Sequence, residues 1–218
     1  MNQMTPSKRR KSQDVVRREL LDTALQLVRD TGDLSFSLRR LAEAAGTSTM
    51  AVYTHFGNRE ALCRALATRS FDAFALRLQD TMAEVQDADP VTTLRHMVRD
   101  YRRLALEDPS LFDLIFGDAL RFDTVEPLNH AFDGLPTPSE NGYAVYGMFT
   151  GVFETGMQQG IFRADVPARL LMDSFWAQVH GLVTLERLGY VRSAQDAEDR
   201  FTFGIDAILR GMAPVTPA

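Results

Sequence analysis

The chain is poor in the residues that build covalent, metal and catalytic sites. Its 218 residues include one cysteine, Cys63, and four histidines. A lone cysteine excludes an internal disulfide and suits a reducing compartment, so a cytoplasmic location is expected. The histidines lie far apart, with no HxxxH or CxxC spacing, so neither a metal nor any other cofactor is expected. Cys63 has no base placed beside it and reads as a small core residue. No GxxxxGK[ST] and no strand-linked GxGxxG is present to cradle a phosphate. With no catalytic set to point to, the chain is not expected to be an enzyme. No run approaches about 18 uninterrupted apolar residues, so no membrane span is expected. The basic N-terminus lacks the apolar run of a signal peptide. Strand-like alternation and internal repeats are also missing, which leaves an all-α fold as the expectation.

What is present is helical periodicity and an uneven charge. The net charge of −5 hides a division. Residues 1–70 carry 12 Lys+Arg against 7 Asp+Glu, and residues 71–218 carry 12 against 22. A basic head on an acidic body points to a polyanion partner for the head. Chance clustering is the plain alternative, and it loses ground if the basic residues coincide with a binding motif.

They do coincide with one. Residues 37–60 read SLRRLAEAAGTSTMAVYTHFGNRE. Ser37 suits an N-cap for a helix in which Leu38, Leu41, Ala42 and Ala45 share a face. Gly46 stands where a left-handed residue ends that helix. Ser48 or Thr47 caps a second, very short helix, STMAVYTHF. Two helices joined through a glycine turn form the helix-turn-helix pattern, whose second helix enters a DNA major groove. Plain helical hairpins share that spacing, so the residues themselves must carry the argument.

The order Ser37-x-Arg39-x-x-Ala42, Ala45-Gly46-x-Ser48, Val52-Tyr53-x-His55-Phe56 and Arg59-Glu60-x-Leu62 resembles the DNA-binding module of the tetracycline-repressor (TetR) family. The resemblance covers roughly residues 14 to 68. It implies double-stranded operator DNA as partner, with Tyr53 and His55 at the DNA backbone and Arg39 at base edges. Arg40 is expected at a phosphate, and Thr49, Met50, Ala51 and Thr54 are the base-reading candidates on the short helix. Arg59 departs from the family's usual lysine; its charge keeps a phosphate contact plausible.

Around this motif the chain divides into a disordered basic arm (1–12, with Lys8, Arg9, Arg10 and Lys11), a DNA-binding domain (13–68), a ligand-binding and dimerisation body (69–213) and a tail (214–218). The arm reads either as a solvated tail or as a contact to DNA phosphates. A first helix is expected from about Gln13 to Arg29, and a long fourth helix from about Arg59 to Gln86 links head and body. Further helices open at Pro90, Pro109 and Pro167, and Ser193 caps the last. Residues 121–137 read as a loop. The helix over 139–160 carries Gly142, Gly147, Gly151 and Gly156. Each interior glycine costs about 1 kcal/mol, so close helix approach or ligand space should offset it.

Two features mark the body. Phe175-Trp176-x-x-Val179-His180-Gly181-Leu182-Val183-x-Leu185 is apolar on nearly all sides, so it should be buried on two faces. A second copy of the chain, with the last helix alongside, is the expected partner for one of them. Gly181 should permit close helix approach. The Trp176-x-x-x-His180-Gly181 spacing resembles a C-terminal subgroup of the same family. The second feature is enrichment in aromatics and Met. Tyr101, Phe112, Phe116, Met148, Phe149, Trp176 and His180 are the candidate ligand-binding residues, with Tyr143 and Phe153 nearby in sequence. Ordinary core is the competing reading, and for His180 the stronger one. Arg102, Arg103 or His96 could select a ligand charge. The sequence thus points to a homodimeric transcriptional regulator, a repressor released from a palindromic operator by an unknown small molecule. An architectural DNA binder without an effector is the alternative, and an enzyme or carrier for an apolar molecule a weaker one.

Overall fold

The computed structural model describes residues 6–32, 34–116 and 140–214, and their side chains apart from residues 6–12 and 140–143. The expected loop over 121–137, the Tyr143 side chain and most of the tail lie outside the described residues. Among the described residues the structure is all-α. Its helices are α1 (Pro6–Thr31), α2 (Leu38–Ala44), α3 (Thr49–Phe56), α4 (Arg59–Glu84), α5 (Pro90–Glu107), α6 (Pro109–Phe116), α7 (Glu140–Gln158), α8 (Ala168–Arg187) and α9 (Ala194–Gly211).

The helix ends follow local chemistry. Ser37, Ser48 and Ser193 each accept a backbone N–H three residues on, from Arg40, Ala51 and Asp196. Asn58 does the same for Ala61 at 2.8 Å. These side chains satisfy donors that a helix start leaves without partners. Gly46 adopts φ 62° in the turn between α2 and α3, where a Cβ would be strained. The start of α1 differs from expectation. The helix begins at Pro6, where a start near Gln13 was expected. Proline fits a first helical position, because its fixed φ is already helical and its missing N–H would have had no partner. The Lys and Arg residues that follow are good helix formers.

The chain forms two compact units. The first contains residues up to Asp72 and the segment from Asp108 that includes α6. Here α1 packs against α2, α3 and α6, and α2 against α3. Leu20, Ala24, Leu27 and Val28 of α1 meet a core that also holds Phe36, Leu41, Val52, Phe56, Leu62 and Leu66, all buried. The Arg17 guanidinium lies 5.0 Å over the Phe56 ring. Arg29 pairs with Asp108 at 2.8 Å, and Asp108 caps Leu111 at the start of α6.

The second unit contains residues 73–107 and those from Glu140 onward. α5 packs on α7 and α8, α7 on α8, and α8 on α9. Leu94, Met97, Val98, Tyr101 and Leu104 bury one stripe of α5. Phe153 lies 5.1 Å from Phe162 and 5.5 Å from Phe175, ring centre to ring centre. α4 is continuous across the unit boundary, its residues falling on both sides of Asp72–Ala73.

The α7 glycines separate into two kinds. A Cβ on Gly156 would stand 2.3 Å from the Phe162 ring, so this glycine allows a close approach. Gly147 and Gly151 face open space. Gly181 also meets nothing within 4 Å, so close approach inside the chain is not its role. The close contact between α8 and α9 falls instead at Gly204, where a Cβ would stand 2.6 Å from Leu182 Cδ1.

These environments predict opposite signs for one chemical change. Gly147→Ala should stabilise the protein by about 0.5–1 kcal/mol, because it removes backbone entropy from the unfolded chain and adds no clash. Gly156→Ala should destabilise it by about 1–3 kcal/mol through overpacking against Phe162. Urea midpoints at fixed protein concentration decide the matter, and equal shifts in the two variants would contradict the assignment.

Candidate functional site

The helix-turn-helix presents its second helix outward. Val52 and Phe56 bury one side of α3. Met50 (74% exposed), Tyr53 (49%) and Thr54 lie on the other, and Thr49, Ala51 and His55 are half-buried at its margins. The offsets of three and four residues place Met50, Tyr53 and Thr54 on one face. Tyr53 is therefore not a core residue of the head, and its phenol stands available to donate to an acceptor in solvent.

The hydrogen bonds already made restrict what each group can offer. Ser37 and Ser48 use oxygen lone pairs as caps, at 3.2 and 3.1 Å, and keep their O–H donors. Thr54 donates its own O–H to the Met50 carbonyl at 2.8 Å, so it presents a methyl group and an acceptor outward. Arg39 is paired with Glu43 on its own helix at 2.9 Å in full exposure, a weak tie that another anion can displace. Arg40 is exposed on the next position of α2. Arg59 is turned toward the head itself. Its Nη1 donates to the Phe36 carbonyl, and the guanidinium lies 6.0 Å over the Phe36 ring. The structure gives this arginine an architectural contact that was not expected of it, closing the segment before α2 onto the first turn of α4.

The candidate ligand residues fall into two groups. Phe112 and Phe116 belong to the first unit, 4.9 Å apart, with Phe71 5.8 Å from Phe116. Tyr101, Trp176 and His180 gather in the second, where Phe149 is buried and Met148 half-buried on α7. The Tyr101 hydroxyl lies 2.6 Å from His180 Nδ1 and also receives a hydrogen bond from Trp176. Either partner can donate across this contact, according to which ring nitrogen of His180 carries the proton. Burial pushes the Tyr101 phenol well above its ordinary value. Burial, and then the charge of Arg187, holds His180 below its ordinary value. Tyr146, on α7, donates to Asp173 of α8 at 2.9 Å, and burial followed by that carboxylate pushes its phenol up to about 12.

Of the groups expected to choose a ligand charge, His96 is half-buried on α5 and the two arginines are paired within the chain. Arg102 binds Glu186 and Glu198. Arg103 binds Asp100 at 3.3 Å. A groove of about 300 Å³ lies elsewhere, on α8 and α9, where Leu182, Leu185, Phe201, Phe203 and Gly204 are among its lining residues. Phe203 was missed by the sequence reading. The signal was there, because Phe201 and Phe203 stand two residues apart, so one helix cannot bury both on one face.

Among the described residues, no group of three His, Cys, Asp or Glu side chains could hold a metal ion, and no helix is long and apolar enough to cross a membrane.

Comparison with known proteins adds two family matches. Residues 94–208 match the tetracyclin repressor-like C-terminal domain, and residues 20–66 match the bacterial regulatory proteins of the tetR family. The chain is 25% identical over 173 residues to the HTH-type transcriptional repressor KstR2 of Rhodococcus jostii, covering 75% of this chain and 78% of that protein. It is 25% identical over 161 residues to the HTH-type transcriptional regulator NfxB of Pseudomonas aeruginosa, covering 74% and 78%. It also resembles a solved protein of unknown function from Rhodococcus sp. RHA1, with TM-score 0.73, 26% identity and coverage of 91% and 95%.

The hydrogen-bonded group in the second unit has a measurable consequence. A histidine whose folded value is depressed stabilises the protein above its unfolded value of about 6.5, and that stability is lost as pH falls through the lower folded value. Unfolding free energy should therefore decline below pH 6.5, and His180→Gln should flatten that decline. Tyr101→Phe should cost about 1–2 kcal/mol at pH 7.5 through the lost hydrogen bonds. A His180→Gln profile parallel to the wild type between pH 7.5 and 5 would show that other groups set the dependence.

Proposed function

The chain belongs to the tetracycline-repressor family of bacterial transcriptional regulators, and we propose that it works as a homodimeric repressor whose grip on a palindromic operator is released by a small molecule. In this reading residues 13–68 form the DNA-binding domain and residues 69–213 the dimerisation and effector-binding body. The observation that carries it is the outward face of α3, with Met50, Tyr53 and Thr54 exposed on a helix fixed from behind by Val52 and Phe56. Tyr53, His55, Ser37 and Ser48 supply donors for phosphate oxygens. Arg39 reaches a base edge after leaving Glu43, and Arg40 takes a phosphate. Thr49, Met50, Ala51 and Thr54 present methyl groups suited to thymine.

An eight-residue helix with so few polar groups reads little sequence alone, so two heads are needed, about one DNA turn apart. Support for the dimer comes from the surface of α8 and α9. Leu185 (49% exposed) and Phe203 (70%) line the α8–α9 groove and, among the described residues, leave apolar surface there uncovered, with Leu188 and Tyr190 exposed just after α8. Trp176 does not belong to that face, since its indole is engaged with Tyr101 and His180. The effector reading rests on the Tyr101–Trp176–His180 group and on α4, which has residues in both units. A ligand that favours the wrong separation of the heads by about 2.7 kcal/mol shifts DNA binding a hundredfold. The relationship to KstR2, a repressor, favours repression over activation.

Selection of genomic fragments with the purified protein supplies the operator. The double variant Tyr53→Phe, His55→Ala should then bind it at least tenfold more weakly at physiological salt, as two lost phosphate hydrogen bonds of about 1 kcal/mol each require; undiminished affinity would remove these residues from the interface. Phe203→Glu should yield monomers in sedimentation velocity, and an intact dimer would place the interface elsewhere. A complex that no cell-derived small molecule dissociates would favour the architectural reading.

A further inference from the structure

Arg102 ties together the two helices that carry the uncovered face. From α5 it gives Nε and Nη2 to the two carboxylate oxygens of Glu186 on α8, at 2.8 and 2.9 Å. Its Nη1 donates to Glu198 on α9. The same guanidinium lies 4.9 Å over the Phe201 ring, also on α9. The Arg102 and Glu186 side chains are only 15% and 12% exposed, so solvent and salt screen that pair little, whereas Glu198 is 49% exposed. Glu186 and Phe201 are themselves lining residues of the α8–α9 groove.

The two helices meet closely at another point. Gly204 of α9 faces Leu182 of α8 at a distance that leaves no room for a Cβ. The two helices also pack on each other beyond this point. Glu186 lies one turn beyond Leu182, and Glu198 and Phe201 lie one to two turns before Gly204. Arg102 thus ties the helices one to two turns away from that close approach, where a tie resists a change in their angle. Its planar fork fixes direction as well as distance, which a lysine ammonium does not. Without the cation, two carboxylates from different helices would be left close together and repel.

We propose that Arg102 is a positioning residue for self-association, setting the angle between α8 and α9 and so the shape of the face that a second copy of this chain covers. The proposal rests on the homodimer reading above. It makes dimer affinity depend on a residue outside the groove lining, on a helix that need not touch the partner.

The test compares full-length wild type with Arg102→Met, Arg102→Lys and Arg77→Met. Arg77 pairs with Asp100 at 3.2 Å in the same unit and is absent from the α8–α9 face, so its variant reports the effect of losing a body ion pair alone. Dimer dissociation constants come from sedimentation equilibrium, and melting curves from circular dichroism. Arg102→Met should raise the dissociation constant at least tenfold, and Arg102→Lys at least threefold, because charge without the fork is insufficient. Arg77→Met should leave it within threefold of wild type while still lowering the melting temperature. A wild-type constant in Arg102→Met, or an equal rise in Arg77→Met, would overturn the proposal. If Arg102→Met does not fold, an unchanged constant in Arg102→Lys overturns it instead. A wild type that stays monomeric at every concentration would overturn the homodimer reading itself, a result distinct from either.

Discussion

The outward chemistry of α3 depends on its inward attachment. A helix of eight residues is far below the length that is stable alone in water, so its shape must come from packing. Val52 and Phe56 provide that packing, with Arg17 over the Phe56 ring and Ser48 holding the first turn. Everything the head shows to solvent follows from this anchoring. Burying positions 52 and 56 leaves 50, 53 and 54 on the other side. The same requirement explains why α1 and α2 must be present before α3 has a fixed direction. It also explains the unexpected use of Arg59, which closes the segment before α2 onto the start of α4.

In the body the organising element is α5. Three consecutive residues reach three other helices between them. Asp100 takes Arg77 and Thr81 of α4, Tyr101 takes Trp176 and His180 of α8, and Arg102 takes Glu186 of α8 and Glu198 of α9. Successive helical side chains point about 100° apart, so three polar residues in a row must face three directions. Buried polar groups are tolerated only when partnered, and these partners come from helices far away in the sequence. The result is a helix whose neighbours are specified by hydrogen bonds as well as by fit, in a unit otherwise packed through Phe153, Phe162 and Phe175.

Much of the architecture was legible in the sequence because it is decided locally. Pro90, Pro109, Ser37, Ser48, Asn58, Ser193 and Gly46 mark helix ends where caps, proline geometry or a positive φ leave few alternatives. The apolar stripes of α1 and α5 were readable for the same reason. α1 starts at Pro6 and not near Gln13, because the proline and the basic residues after it favour helix. Within the candidate sites, the exposure of Met50, Tyr53 and Thr54 followed from periodicity. The partners of Arg59, Arg102 and Arg103 did not. A long cation on a helix can reach ligand, water or any of several carboxylates, and the sequence does not rank them.

The glycines and aromatics show the same division. Sequence marked Gly156 and Gly181 alike as unusual interior glycines, yet only Gly156 meets a neighbour, and the α8–α9 contact belongs to Gly204. Phe112, Phe116 and Tyr101 looked like one aromatic set, yet they sort into two units. By itself the sequence determined the all-α class, most helix boundaries, the helix-turn-helix and which side of α3 faces out, because these depend on interactions within about four residues. Only the tertiary structure decided which aromatics meet, which cations are already spent and which apolar face remains open, because those outcomes depend on where distant helices cross.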